Sequence, residues 1–488
     1  MKYLCELIHS FSEEESELIV KHYLLKRNSY SKRLKLFNMI KHEGVKDDRV
    51  AAKRLYNRAP NAAFSQLKKR LREDILNLLL TFNLQSDNFC SYMEAEMRAS
   101  KLILQGKILI KRGLSDAGTL LLKKAFNLAG SYEAFEVQAL AYEALKSYSD
   151  NNDDIPELHD MELEFSKNVD ILYDLINLRI THAESEADEF HEPEIQGIQE
   201  HLTPFPYNEQ VVCHQDPHRS ARLQFQYTMK LTEEFRQQKM YQRARETAEE
   251  ILPILDHENQ VLTPGQKGIY YGQFAEILMC LRFYREAVFY AEKSCRYLKP
   301  MHERHLASMI IQFKGYFYQH ETDDAAVMLD RIGEMLEATC PKRINEYELY
   351  RAWLAFLNED TKASIKLLNK CFKLSGSYTI VSLNGKLLEL LNLLKMKDFS
   401  WFDYKLDSFR KYLQSAPEHL NLARFQLIFK LFNALKLNKY NLQTLEDGKP
   451  SEMLRLLSEA DQPTSWSPLQ QELIRVECWL TSYASSAS

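Results

Sequence analysis

Glycine and proline are both scarce, 14 of each among 488 residues. The glycine count is roughly half the usual share of about 7%, so the chain holds few residues that interrupt a helix. Strand signals are nearly absent. No run approaches the ~18 apolar residues of a membrane span, and no membrane association is expected. The N-terminal stretch MKYLCELIHSFSEEE has one Lys, is interrupted by Glu6, and carries Cys5 too early for a lipoprotein signal. The eight cysteines (Cys5, Cys90, Cys213, Cys280, Cys295, Cys340, Cys371, Cys478) form no CxxC pair. Scattered thiols in apolar helical surroundings act as small buried hydrophobes and fit a reducing compartment, so a cytoplasmic protein is expected. There is no GxxxxGKS/T loop, no GxGxxG after a strand and no GxSxG elbow. Enzymatic activity is unsupported, and no cofactor is implied.

What is present is material for helices. Hydrophobic residues make up 45% and charged residues 27%, ordinary for a folded chain. Twenty-six Tyr and 25 Phe supply large side chains for packing helix on helix. The length exceeds one compact core and points to two or three domains or one elongated repeat array. Net charge is −5, unevenly spread: residues 21–80 hold sixteen Lys+Arg against five Asp+Glu, a balance of +11 that leaves −16 for the rest.

One phrase occurs twice. Residues 117–132 read AGTLLLKKAFNLAGSY and residues 363–378 read ASIKLLNKCFKLSGSY, identical at nine of sixteen places. Leu121, Leu122, Ala125, Phe126 and Leu128 fall at helical spacing, as do Leu367, Leu368, Cys371, Phe372 and Leu374. Gly then suits a left-handed helix end, and Ser suits the N-cap of the next helix. GSY therefore reads as a tight turn between antiparallel helices, and its recurrence signals stacked hairpins.

Further copies follow the same pattern. KMYQRARETAEEIL places Tyr241, Ala244, Ala248 and Ile251 on one stripe. RFYREAVFYAEKSCRYLKP places Tyr284, Ala287, Ala291 and Ser294 at the same offsets and closes with Pro300. Weaker copies run through Ala325, Leu329 and Ile332, and through Ala363 and Leu367. Small residues at such positions let two helices cross closely. This pattern resembles the tetratricopeptide (TPR) repeat, best over 220–300 and less closely over 100–130 and 305–376. It departs from the repeat in lacking the tryptophan of early helix A and in drifting from the ~34-residue period. An irregular helical bundle is the competing reading.

Two stretches interrupt the pattern. SDNNDDIPELHD (149–160) reads as an acidic turn before a long amphipathic helix, and 183–218 reads as an irregular connector with three prolines in its later part. Near the end, LEDGKPSE reads as a loop and SPLQQELIRVECWL as a last helix opened by Ser467-Pro468. The expected organisation is a basic helical module over 1–90, TPR-like hairpins and a long helix over 91–182, the connector, a TPR-like superhelix over 219–440, and a C-terminal loop, helix and tail over 441–488.

Metal signals fail on spacing. DNNDDIPELHDME alternates Asp150, Asn152 and Asp154 like a calcium loop, but Ile155 and Met161 stand where Gly and Glu are required. Cys213, His214 and His218, with His191 and His201 nearby, read as surface residues of the connector, and His302 and His305 miss the zinc-helix spacing. No metal is expected.

The basic head is sharper. DDRVAAKRLYNRAPNAAFSQLKKRLREDILNLLL (47–80) reads as two helices, the first capped by Asp47 or Asp48 and the second by Asn61. Leu67, Leu71, Ile75 and Leu78 share one face, while Lys68, Lys69 and Arg72 point away. The stretch somewhat resembles winged-helix domains that precede TPR-like sensor regions in bacterial regulators, which implies DNA contact by Lys68, Lys69 and Arg72. No wing follows Leu80, and base-reading residues are limited to Gln66 and Arg70. A solvated basic face for an acidic partner is the plainer reading.

The expected fold is all-α: a solenoid of TPR-like hairpins with an N-terminal helical module. The resemblance implies a concave face that binds a protein or peptide through Glu233, Arg236, Gln237, Glu276, Met279, Lys314, Phe317 and Tyr318. A non-enzymatic interaction scaffold is the leading expectation and a DNA-binding regulator with a TPR-like sensor is the alternative.

Overall fold

The structure, a computed structural model, describes residues 1–11, 13–25, 32–79, 91–149, 158–190, 220–256, 261–300, 303–339, 343–374, 379–416, 422–445, 448–459 and 464–487. Among these residues there are 23 α-helices and no strand. The chain divides into two units, 1–153 and 154–488, each described by itself.

The first unit opens with α1 (Lys2–His9), α2 (Glu13–Leu25), α3 (Lys32–Lys41), α4 (Asp48–Tyr56) and α5 (Ala62–Leu79). They close around Ile8, Phe37, Ile40, Phe64, Leu71 and Ile75. The expected stripe Leu67, Leu71, Ile75 and Leu78 is the buried face of α5. Asp47 caps α4 by accepting from the Arg49 N–H at 2.9 Å. Asn61 caps α5, accepting from Phe64 N–H at 3.0 Å. The unit continues with α6 (Ser91–Lys111), α7 (Ser115–Ser131) and α8 (Phe135–Ser149). Helices α6 and α7 cross at Gly106 and Gly118, where a Cβ on Gly118 would lie 2.5 Å from Ile110 and 2.8 Å from the Gly106 carbonyl. Only glycine fits that crossing.

The second unit begins with α9 (Leu158–Phe190), then α10 (Ala221–Gln237), α11 (Tyr241–Glu249) and α12 (Leu252–Asp256). Next come α13 (Pro264–Cys280), α14 (Tyr284–Tyr297), α15 (Glu303–Tyr318), α16 (Thr322–Thr339), α17 (Ile344–Leu357) and α18 (Thr361–Leu374). The unit ends with α19 (Ile380–Lys395), α20 (Phe399–Ser415), α21 (Ala423–Leu437), α22 (Gly448–Ser458) and α23 (Val476–Ala487). From α13 to α22 each helix packs on the next, so the apolar flank of one hairpin is covered by its neighbour. Their shared core runs from Phe313 and Trp353 through Leu387, Leu391, Phe402 and Phe432 to Val476 and Leu480 of the last helix.

One turn stencil recurs in both units. The linkers 112–114, 132–134, 238–240, 281–283, 319–321, 358–360 and 396–398 each have three residues with a left-handed middle one. That residue is Gly113 in one copy and Glu133, Lys239, Arg282, His320, Glu359 or Lys397 in the others. A left-handed non-glycine costs roughly 1–2 kcal/mol. It is offset by the closing bonds: the third N–H donates to the carbonyl five residues back, as Phe283 to Leu278 at 2.9 Å and Asp360 to Ala355 at 2.9 Å. Five residues after the left-handed position stand Gly118, Gln138, Ala244, Ala287, Ala325, Ser364 and Phe402, all buried. Nine after it stand Leu122, Tyr142, Ala248, Ala291, Leu329, Leu368 and Leu406, buried as well. The sequence thus writes one hairpin many times, in TPR-like pairs.

Several expectations shift. The GSY turn is displaced in its first copy: α7 runs through Gly130 and Ser131, and Glu133 takes the left-handed position. Ser131 Oγ donates to the Leu128 carbonyl at 2.9 Å instead of capping α8. The cause is register, because Ala134 N–H closes onto Ala129 O at 2.8 Å. The second copy's 375–378 lies outside the described residues. In α18 the buried stripe is Ser364, Leu368 and Cys371, one residue later than Ala363 and Leu367, which are half-buried. Helix α9 carries on over 183–190, assigned above to the connector, because AESEADEF contains no breaker before Pro193. The remaining connector, with Cys213, His191, His201, His214 and His218, lies outside the described residues, as do Asp150, Asn152, Asp154 and His302.

The C-terminal expectation fails more instructively. No helix opens at Ser467-Pro468; residues 464–475 run without regular structure and α23 starts at Val476. Within LEDGKPSE, Leu445 ends a 3₁₀ turn (Leu442–Leu445) and helix α22 begins at Gly448, while 446–447 lie outside the described residues. Residues 466–471 are held away from a helix because their polar groups are engaged elsewhere.

Candidate functional site

Helices α10, α13, α15 and α17 are first helices of consecutive hairpins; the first three carry polar side chains of one face toward their C-terminal ends, and α17 carries Glu346 in its first turn. On α10, Arg236 donates from Nε and Nη2 to Glu233 at 2.8 and 2.7 Å, and from Nη1 to Glu276 of α13 at 2.9 Å. Gln237, exposed, donates to Glu233 at 3.3 Å. Burial raises the Glu276 pKa, and the Arg236 guanidinium opposes that rise. Cys280, at the end of α13, is pushed up to about 11 by burial, with the Tyr241 and Ser467 hydroxyls opposing that rise.

On α15 the arrangement changes. Lys314 is buried, 2% exposed, and its ammonium donates to the Leu469 carbonyl at 2.6 Å and the Gln470 carbonyl at 2.8 Å. One turn on, Tyr318 donates to the Pro468 carbonyl at 3.2 Å and meets the Trp466 ring edge-to-face at 5.7 Å. On α17, Glu346 accepts from Arg343 at 2.8 Å, from Tyr350 at 2.7 Å and from Gln471 at 3.4 Å. Residues 467–471 therefore pass over α13, α15 and α17 as a strap that turns at Pro468–Leu469, with the Gln470 N–H closing onto the Ser467 carbonyl at 3.1 Å. Desolvation lowers the Lys314 pKa to about 8, with Glu346 and Glu276 pulling the other way. Burial raises the hydroxyls of Tyr318 and Tyr350 well above the usual phenol value.

The sequence-derived set thus divides. Glu233, Arg236, Gln237 and Glu276 form one bonded cluster, and Lys314 and Tyr318 form a second group on the strap. Met279 and Phe317 point into the cores, 0% and 3% exposed. Their burial follows from large apolar side chains at hairpin contacts. Glu346, Tyr350 and Trp466 lie outside the sequence-derived set. The signal available for the last was SWSPLQQEL itself, with one of four tryptophans beside a proline.

In the head, Lys68 is bonded to Asp48 at 2.8 Å and stands 5.1 Å from the Phe64 ring centre. Lys69 lies 3.9 Å from Glu73, and Arg72 is exposed. A shallow cavity of about 470 Å³ near the end of the second unit is lined by Phe399, Tyr440, Tyr483 and the amines of Lys397 and Lys439, with no carboxylate or imidazole among its lining. Among the described residues no cluster of three His, Cys, Asp or Glu is placed to hold a metal. No described helix is long and apolar enough to cross a membrane.

No family model matches the chain, and no curated protein matches it. Among solved structures, the chain is similar to a kinesin light chain from Podosopora anserina with nearly identical TPR-like repeats. The match has 17% identity, covers 41% of this chain and 97% of the other, and superposes with a TM-score of 0.33. With a superposition this loose, the hairpin assignment stands on the turn register and buried stripes described above.

Proposed function

We propose that this chain is a non-enzymatic interaction scaffold whose hairpin face holds a short segment of a protein. The observation that carries the reading is the way Lys314 and Tyr318 take three successive main-chain carbonyls, those of Pro468, Leu469 and Gln470. Side-chain donors that take backbone carbonyls hold a segment by its main chain, through groups that every residue carries. The neighbouring cluster of Arg236, Glu233, Glu276 and Gln237 is half-exposed on the same row of helices and supplies charge for selecting a partner. Scattered thiols fit a reducing, cytoplasmic setting.

Engagement of Lys68 by Asp48 weighs against the DNA-binding alternative, because that ammonium is turned to its own module. The deciding experiment is affinity capture from native extract with the chain and with Arg236→Glu. A partner recovered with the first and lost with the second supports the scaffold. Recovery that ignores Arg236→Glu, or salt-dependent DNA binding abolished by Lys69→Glu with Arg72→Glu, contradicts it.

A further inference from the structure

The C-terminal tail is held in two chemically distinct ways. From Glu472 onward it belongs to the core. Leu473, Val476 and Leu480 are at most 2% exposed. Arg424 donates from Nε and Nη2 to both oxygens of Glu472, each at 2.6 Å, from Nη2 to Glu477 at 2.8 Å, and from Nη1 to the Thr464 carbonyl at 2.9 Å. Arg475 balances the second carboxylate, its Nε lying 2.9 Å from Glu477. Buried charges paired on this scale are costly to separate.

Residues 466–471 are seated otherwise. Pro468 is buried, but Trp466, Ser467, Leu469 and Gln471 are half-buried and Gln470 is exposed. Their hydrogen bonds to α15 are made by main-chain carbonyls of a tight turn, which any peptide with that turn offers, the Trp466 ring adds its edge contact to Tyr318, and Pro468 has no N–H to leave without a partner. The seat is also costly for the face that provides it. Lys314 loses more by desolvation than the surrounding carboxylates return, which is why its amine falls to about 8.

We propose that residues 466–471 are an exchangeable built-in occupant of this face, and that a partner segment making the same turn, with a proline and an aromatic two residues before it, replaces them. The inference rests on the scaffold reading above and adds the partner's chemistry and its gate. The strap lifts as a loop between Thr464 and Glu472, both of which the Arg424 guanidinium holds. Tethering keeps the strap at an effective concentration of the order of millimolar, so a partner's apparent affinity is its intrinsic affinity reduced by the fraction of open chains.

The test uses the full chain and a labelled synthetic peptide, TSWSPLQQ, matching 464–471. Peptide binding is followed by fluorescence anisotropy for the natural chain, for Trp466→Ala with Pro468→Ala, and for that variant with Lys314→Met added. Weakening the strap tightens peptide binding at least tenfold, and Lys314→Met removes the gain. Equal affinity for the natural and strap-weakened chains, or a gain that survives Lys314→Met, overturns the proposal. Should the strap variant fail to fold, hydrogen exchange on the natural chain decides. Saturating peptide then accelerates the amides of Trp466, Ser467 and Leu469 while those of 476–480 keep their protection. Unchanged exchange at the strap overturns the exchange idea. Partner capture that still depends on Arg236 would leave the scaffold reading standing, so the two failures are separable.

Discussion

Two neighbouring stretches of one helical row solve the same problem differently. On α10 and α13 the charges satisfy one another: Arg236 bridges Glu233 and Glu276, and the side chains stay 17–28% exposed. On α15 and α17 the corresponding groups look outward to another piece of chain, and Lys314 bonds carbonyls 155 and 156 residues away. The first stretch is an open surface and the second is covered. Equivalent positions in a repeat therefore do not have equivalent accessibility; what lies over them decides it.

The contrast can be broken by substitution. Lys314→Ala has the largest effect, about 2–4 kcal/mol lost in urea unfolding, because it leaves two carbonyls without donors and opens a void. A loss under about 1 kcal/mol would mean that the strap does not depend on this seat. Trp466→Ala costs about 1–2 kcal/mol, since the ring is only half-buried, and loss of its edge contact to Tyr318 is read by near-ultraviolet dichroism.

A pH profile sharpens the comparison further. Lys314 titrates near 8 when seated and near 10.4 when exposed. Between those values the unfolded chain holds more protons, so this group makes stability rise with pH, by at most about 1.4 kcal/mol per pH unit. Cys280, Tyr318 and Tyr350 face the same seat with raised pKa values and act oppositely at higher pH, and Glu346, Glu276 and Arg343 are the charged groups beside it. The rise is therefore read as the natural chain minus Lys314→Met, and a flat difference would remove the buried ammonium from the account. Arg236→Ala is the smallest, about 1 kcal/mol or less, as expected of a partly exposed pair; a larger loss would make that stretch as structural as its neighbour.

Much of this fold was legible in the sequence because small residues at Ala244, Ala248, Ala287 and Ala291 have one physical use, a close helix crossing, and the structure buries all four. The caps Asp47 and Asn61 were legible for the same reason, short polar side chains before apolar stripes. The turn itself was misplaced at GSY. Glycine is the obvious left-handed residue, yet six of the seven recurrent hairpin turns use Glu, Lys, Arg or His there, and composition gives no warning when closing bonds offset the strain. At the site, repeat alignment named Arg236 and Glu276, which the structure joins by a hydrogen bond, and Lys314 and Tyr318, which both bond the strap. Met279 and Phe317 were not separable from lining residues, because one position of register turns a groove side chain into a core one. The strap escaped altogether. SPLQQELIRVECWL has a helical beginning by local rules, and it stops after a single turn because the distant Lys314 and Tyr318 take the carbonyls of 468–470.

The most direct measurement is a cross-link. Ser467 sits within hydrogen-bonding reach of the Cys280 thiol, so Ser467→Cys in the full chain under mild oxidation should yield a 280–467 disulfide as the dominant product by peptide mass mapping. The account predicts that this link forms readily and blocks TSWSPLQQ binding until it is reduced. A folded chain in which the thiol introduced at position 467 stays free, and reacts with maleimide as an exposed one does, would contradict it.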